Sequence, residues 1–151
     1  MQITVSAEMN ASVDRIFRAM NDEEEVKRWS KLVTGYIYER EEDRNQCYPG
    51  LTYICVQKQF GQVLEVKARI VECNLPHRLA ARAIMEDFTA LMTYSFDKQG
   101  EVVKVTHHQE YDFPSGKTKV LFVLTSWISK MMLQNELNRL KKYVEAHPHL
   151  D

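Results

Sequence analysis

The chain has 151 residues, 20 Lys and Arg against 21 Asp and Glu for a net charge of −1, and 44% apolar residues. That length suits one domain with a real core, and the balanced charge gives no general attraction to nucleic acid or anionic lipid. No apolar run reaches the ~20 residues that a membrane-spanning helix needs.

Three cysteines, Cys47, Cys55 and Cys73, make an odd number with no CxxC pair, and Met1 to Ser6 lacks the charged and apolar regions of a signal peptide. Together these predict a cytoplasmic chain whose thiols are buried or idle. At the N-terminus Ile3, Val5, Ala7 and Met9 alternate with polar residues, the period of a strand with one wet face. Ser12 is placed to cap a short helix with Val13, Ile16, Phe17 and Met20 on its buried side. Glu23-Glu24-Glu25 opens a second short helix, where negative charge suits the positive end of the dipole, and Val26 and Trp29 are its apolar contacts.

From Val33 onward strands dominate. Thr34 to Arg40 is rich in Tyr and Ile, and Glu39 to Asn45 reads as a solvated turn. Leu51 to Phe60 is β-prone but apolar on both faces, so its register is open: a slip of one residue turns Tyr53 and Cys55 outward. Leu64, Val66, Ala68 and Ile70 alternate cleanly with charged residues, as do Leu79, Ala81, Ala83 and Met85 in the next strand. Ala90, Met92, Tyr94 and Phe96 follow, and Asp97-Lys98-Gln99-Gly100 is a hairpin turn by composition. In the last strand Val103, Val105, His107, Gln109 and Tyr111 share a face opposite Lys104, Thr106, His108 and Glu110. Leu133, Leu137, Leu140 and Val144 then mark one stripe of a C-terminal helix. The fold class expected is α+β: a curved, seven-stranded antiparallel sheet around a long C-terminal helix, with two short helices after the first strand.

The order of elements, together with several local motifs, resembles the START-like (SRPBCC) superfamily, the polyketide cyclase/dehydrase and Bet v 1-type helix-grip proteins. Ala11-Ser12-Val13-Asp14-Arg15-Ile16-Phe17 resembles the lead into the family's first helix, with Ser12 where proline is common. Trp29, Tyr48-Pro49-Gly50, Leu75-Pro76-His77-Arg78-Leu79 and the Leu- and Lys-containing last helix resemble family features at matching places. The resemblance implies a single domain over residues 1–151. It also implies a cavity for a sterol, phospholipid, polyketide, hormone or quinone-like molecule, with cyclisation or hydrolysis in a few members. Fold alone does not choose among these.

Strand alternation places Tyr53, Cys55, Met85, Met92, Tyr94, Val105, His107, Gln109 and Tyr111 on the cavity wall. Trp29, Met131, Met132 and Asn135 complete the expected ligand-binding set. His107, Gln109 and Tyr111 form an inward polar row that needs partners, since each unpaired buried polar group costs about 1–3 kcal/mol. A ligand, trapped water, one another or Asn135 are the alternatives. His107 is the one candidate acid/base group, although no carboxylate is placed by sequence to orient it. His147-Pro148-His149 lacks a third ligand and reads as a frayed tail, so neither metal nor organic cofactor is expected. Val120 to Met132 is apolar on more than one side, a surface that must meet a partner subunit, an apolar membrane interface or a lid over the cavity, and a pocket gate or a homodimer contact is the expectation. Three readings follow: a carrier of one small hydrophobic or amphipathic ligand, a cyclase or aromatase-like enzyme using His107, and a protein-interaction module.

Overall fold

The computed structural model describes residues 1–149. Strand β1 (Gln2–Met9) leads into helices α1 (Val13–Asn21) and α2 (Glu23–Trp29). Strands β2 (Val33–Tyr38), β3 (Thr52–Gln59), β4 (Gln62–Asn74), β5 (Arg78–Ile84), β6 (Thr89–Gln99) and β7 (Val102–Asp112) follow, and helix α3 (Gly116–Ala146) ends the chain. All neighbours are antiparallel in one sheet ordered β1-β7-β6-β5-β4-β3-β2. The meander lays down β2 to β7 in turn, and β1 closes it by pairing with β7, with Val5 opposite His107. This is the expected fold class.

Local chemistry sets the boundaries. Ser12 Oγ accepts from Arg15 N at 3.1 Å, so α1 starts where a capping hydroxyl is available. Asp22 ends α1 and caps α2, accepting from Glu24 N at 2.9 Å and Glu25 N at 3.3 Å. Two helices therefore meet at one residue, which holds them at an angle over the sheet. Gly35 lets α2 lie close on β2, since a Cβ there would stand 2.7 Å from Glu23 Oε1.

The main core forms where α3 crosses β1 and β7. Leu137, Leu140 and Val144 bury against Val5, Met9, Phe96, Val103 and Val105, with Ile16 and Ala19 of α1 at one end. Beneath α1, Arg15 Nη2 lies 2.8 Å from Glu25 Oε1, which also accepts from the Tyr143 hydroxyl at 3.0 Å. This buried ion pair ties both short helices to the end of α3.

Three expectations are corrected. Cys47 and Cys73 are joined in a disulfide, with Cα atoms 6.1 Å apart, and Cys55 alone keeps a free thiol. The odd count concealed one pair plus one single cysteine. Such bonds persist in oxidising surroundings, so the cysteines lend no support to a reducing cytoplasm. The C-terminal His147 is not frayed: its carbonyl accepts from Arg15 Nε at 2.6 Å and its ring lies on Tyr143. The acidic turn after β2 holds a short 3-10 segment, Glu41–Asp43, whose Asp43 is buried and accepts from the Tyr48 hydroxyl at 2.7 Å. No helix among the described residues is long and apolar enough to cross a membrane.

Two stability measurements check this arrangement. Leu137→Ala should lower the unfolding free energy by about 2–5 kcal/mol, as for other buried leucines; a change near zero would place the α3 stripe in solvent. Glu25→Leu leaves the Arg15 guanidinium buried without its counter-charge and should cost about 3–5 kcal/mol. A neutral result would show that the pair contributes nothing to holding the helices.

Candidate functional site

The sheet draws away from α3 toward β3, β4 and β5, where inward residues of mixed size include two alanines. Ala68 and Ala81 form part of the floor, and side chains of that size cannot reach the helix. The gap is a cavity of about 190 Å³. Leu133, Leu137 and Leu140 of α3 roof it, and Phe17, Met20, Val26 and Trp29 of the short helices close one side. Trp29 is fixed there because its Nε1 donates to the Ala19 carbonyl at 2.8 Å.

Of the expected wall, Trp29, Tyr53, Cys55, Met92, Tyr94, His107 and Gln109 line this cavity. The open register of β3 resolves with Tyr53, Cys55 and Gln57 inward, because Cys55 pairs with the buried Val66 of β4. Six residues lie elsewhere, Val105 among them, fully buried in the main core instead of on the cavity wall. Met85 and Tyr111 share the inward face but belong to a satellite cluster around Val66, Ala83 and Ala90, beyond the cavity's end. Met132 and Asn135 wall a separate surface groove, and Met131 is exposed. Met131, Met132 and Asn135 fall off the Leu133, Leu137 and Leu140 stripe, so the helix turns them away from the cavity.

Alternation alone also missed several lining residues. Tyr36 and Tyr38 come from β2, whose bulge between Val33 and Gly35 obscures the period. Tyr36, Tyr38 and Tyr53 pack as a cluster with centroids 5.8–6.4 Å apart, and Tyr36 donates to the Met20 carbonyl at 3.0 Å. Glu136 was hidden in the polar side of the α3 repeat. Its carboxylate accepts from Ser30 Oγ at 2.5 Å, Lys31 N at 2.9 Å and Arg139 Nη1 at 3.0 Å. It latches α3 to the α2–β2 connection at the cavity's edge.

The polar row is satisfied in series. Tyr111 donates its hydroxyl to Gln109 Oε1, and Gln109 Nε2 lies 3.0 Å from His107 Nε2. With the amide oxygen engaged by Tyr111, the amide N–H donates to His107 Nε2 and the imidazole proton sits on Nδ1. Asn135 takes no part. The His107 ring packs on Tyr94 with centroids 4.1 Å apart. Burial pushes the His107 pKa down to about 4, with a smaller contribution from His108, so the ring is neutral at pH 7. His108 is on the outer face, against Thr4 at 2.6 Å and Glu110 at 3.3 Å.

Burial pushes the Cys55 thiol up to about 11 and the Tyr94 and Tyr53 phenols well above their ordinary range. The thiol is therefore protonated and a poor nucleophile. Among the described residues nothing accepts from the Tyr53 or Tyr94 hydroxyl, and both line the cavity. The site thus offers neutral donors inside an apolar wall, with its one carboxylate, Glu136, held at the edge. No group of three or more His, Cys, Asp or Glu close enough to hold a metal occurs among the described residues.

Comparison with solved structures agrees with this architecture. The protein TTHA0849 of Thermus thermophilus superposes with a TM-score of 0.75 at 18% identity, covering 99% of this chain and 100% of that one. The major latex-like protein 151 of Panax ginseng gives 0.73 at 14% identity, with 99% and 98% covered. DynU16, described as a putative protein in the dynemicin biosynthetic locus, gives 0.70 at 15% identity, with 97% of this chain but 48% of that chain covered. Among curated proteins no sequence relative matches. The model of the family described as polyketide cyclase / dehydrase and lipid transport matches residues 1–145, and the chain therefore belongs to that START-like, helix-grip family.

Proposed function

We propose that this protein binds one small, neutral, largely apolar molecule in the cavity between α3 and the sheet. The observation that carries the reading is a partly open hollow whose wall combines apolar side chains with the unpartnered hydroxyls of Tyr53 and Tyr94. A cavity of about 190 Å³ exceeds the ~150 Å³ at which apolar protein cavities stay dry and take up benzene. Affinity comes from removing ligand surface from water, at roughly 25 cal/mol per Å² before ordering costs. A charged ligand would lose its hydration without a counter-ion inside. The two phenols and His107 supply donors to an acceptor such as a carbonyl or ether oxygen, fixing orientation. Tyr53, Cys55, Met92, Tyr94, His107 and Gln109 are the binding residues in this reading.

A second reading is favoured by the Tyr111–Gln109–His107 series, which holds a neutral imidazole at the cavity wall. In that reading His107 exchanges a proton with a bound polyketide, as acid or base in a cyclisation. The family description supports it. The missing carboxylate partner makes binding without turnover the preferred reading.

Native mass spectrometry of gently purified protein tests the first reading. A non-covalent adduct should be present in the wild type and absent from Ala81→Leu, which fills the floor of the cavity. A bare chain mass, with nothing recovered by organic extraction, would contradict it.

The buried state of His107 has its own test. Its folded pKa of about 4 lies below the ordinary 6.5, so between those values the unfolded chain binds a proton that the folded one refuses. Stability from this source is complete above pH 6.5 and declines as the pH falls toward 4. Denaturant unfolding at pH 7 and pH 5 should show a larger loss for the wild type than for His107→Phe. Equal losses would mean that His107 is solvated.

A further inference from the structure

The first half of α3 has its polarity reversed. Thr118, Phe122, Ser126, Ser129 and Leu133, all half-buried, recur at intervals of three and four, so the side turned to the body mixes hydroxyls with apolar side chains, and Ile128 and Met132 are half-buried at its edge. The opposite side carries Leu124 at 68% exposure, Trp127 at 65% and Leu121 at 64%. A helix buries its apolar side when the fold supplies the cover; here the fold leaves that side bare.

This bare side runs into the groove beside the cavity. Leu121, Leu124, Ile128, Met132 and Asn135 share one side of α3 by their spacing, and Met132 and Asn135 wall the groove together with Phe60. Phe60 stands at the tip of the β3–β4 hairpin, 84% exposed, in the left-handed region at φ 51°. A bulky residue is rarely held there, and its ring gains no packing from the fold. Leu32 and Glu136 line both the groove and the cavity, so the groove is where the cavity meets the surface.

The charge along this half of α3 and beside the groove is one-sided, with Lys119 and Lys130 on the helix flank away from the groove, although the whole chain is at −1. Residues 116–135 contain Lys117, Lys119 and Lys130 and no Asp or Glu, and Lys31 and Lys58 flank the groove. None of these five lysines has an ion pair among the described residues. The one acid of the groove, Glu136, is paired with Arg139. Glu86, Asp87 and Asp112 belong to the turn and strand end around Phe88 and Phe113, whose rings pack on Phe122, on the body side of the helix.

We propose that this face docks on a bilayer containing anionic lipid. Trp127, Leu124 and Phe60 enter the headgroup boundary, the lysines meet the phosphates, and the cavity's edge at Leu32 and Glu136 is turned toward the lipid. A second copy fits the face less well, because self-association sets unpaired lysines against lysines. Docking on lipid covers the apolar arc and neutralises the lysines together. It also gives an apolar ligand a path that avoids water, a consequence that rests on the carrier reading above.

Vesicle co-sedimentation tests this with phosphatidylcholine alone and with phosphatidylcholine mixed with phosphatidylglycerol. The full chain should sediment with the mixed vesicles, and salt should weaken that binding. Leu124→Glu and Phe60→Glu should each reduce it by about tenfold or more, the equivalent of losing one inserted apolar side chain. Lys119→Glu with Lys130→Glu should weaken binding to the mixed vesicles only. Ile84→Glu, at an exposed apolar site on the sheet, should leave binding unchanged. Ala81→Leu, which empties the cavity of ligand, should also bind vesicles normally, so failure of the carrier reading and failure of docking are read separately. No sedimentation with the mixed vesicles, or the same loss from Ile84→Glu as from Leu124→Glu, overturns the proposal. So does a dimer by light scattering that Leu124→Glu dissociates, which assigns the face to a second copy.

Discussion

The seam where Leu137, Leu140 and Val144 close on Val5, Met9, Val103 and Val105 is the contact from which the rest of the molecule is hung. It fixes α3 against the β1–β7 end of a curved sheet and leaves its roof to extend over the opposite end unsupported. There the floor sets Ala68 and Ala81 among larger side chains such as Leu79 and Tyr53, and the space above the alanines is left unfilled. The cavity is therefore a consequence of seam and curvature together, with size set by the small residues of the floor. The Arg15–Glu25–Tyr143 cluster and the Ser30–Glu136 latch then hold the short helices and the α2–β2 connection as its side wall.

The polar chemistry is sparse and internally ordered. Tyr111, Gln109 and His107 use one another as partners, which lets a polar row lie on an apolar sheet face without an unpaired amide. What remains unpaired points into the hollow, at Tyr53 and Tyr94. Neutrality runs through the whole site: His107 is held unprotonated by burial, Cys55 and the phenols are held protonated, and the carboxylate stays at the edge. Such a wall discriminates by shape and by an acceptor atom, and it disfavours formal charge.

Much of this was legible in the sequence because period-2 alternation and an α-helical stripe are strong signals when one face is buried. Val66, Ala68 and Ile70, or His107 and Gln109, could be assigned a face before any coordinates. Legibility failed where a face is not the deciding variable. Met85 and Tyr111 point inward as expected but lie past the cavity's end, a matter of sheet curvature that alternation does not encode. Tyr36 and Tyr38 were obscured by the bulge in β2. The Cys47–Cys73 link joins residues 26 apart whose proximity only the fold creates. In the first half of α3 the apolar surface off the stripe was legible, but Met131 and Met132 were counted as cavity wall, whereas Met131 is exposed and Met132 lies on the groove.

The family is established by the match over residues 1–145 and the fold by its structural neighbours, while the proposed ligand class rests on the wall's chemistry alone. A crystal structure of the natively purified protein at atomic detail bears most directly on that chemistry. The account predicts continuous non-protein density in the hollow, in contact with Ala81, with an acceptor atom within hydrogen-bond reach of the Tyr94 or Tyr53 hydroxyl. A hollow collapsed to a solid core, with His107 rotated to solvent, would contradict it.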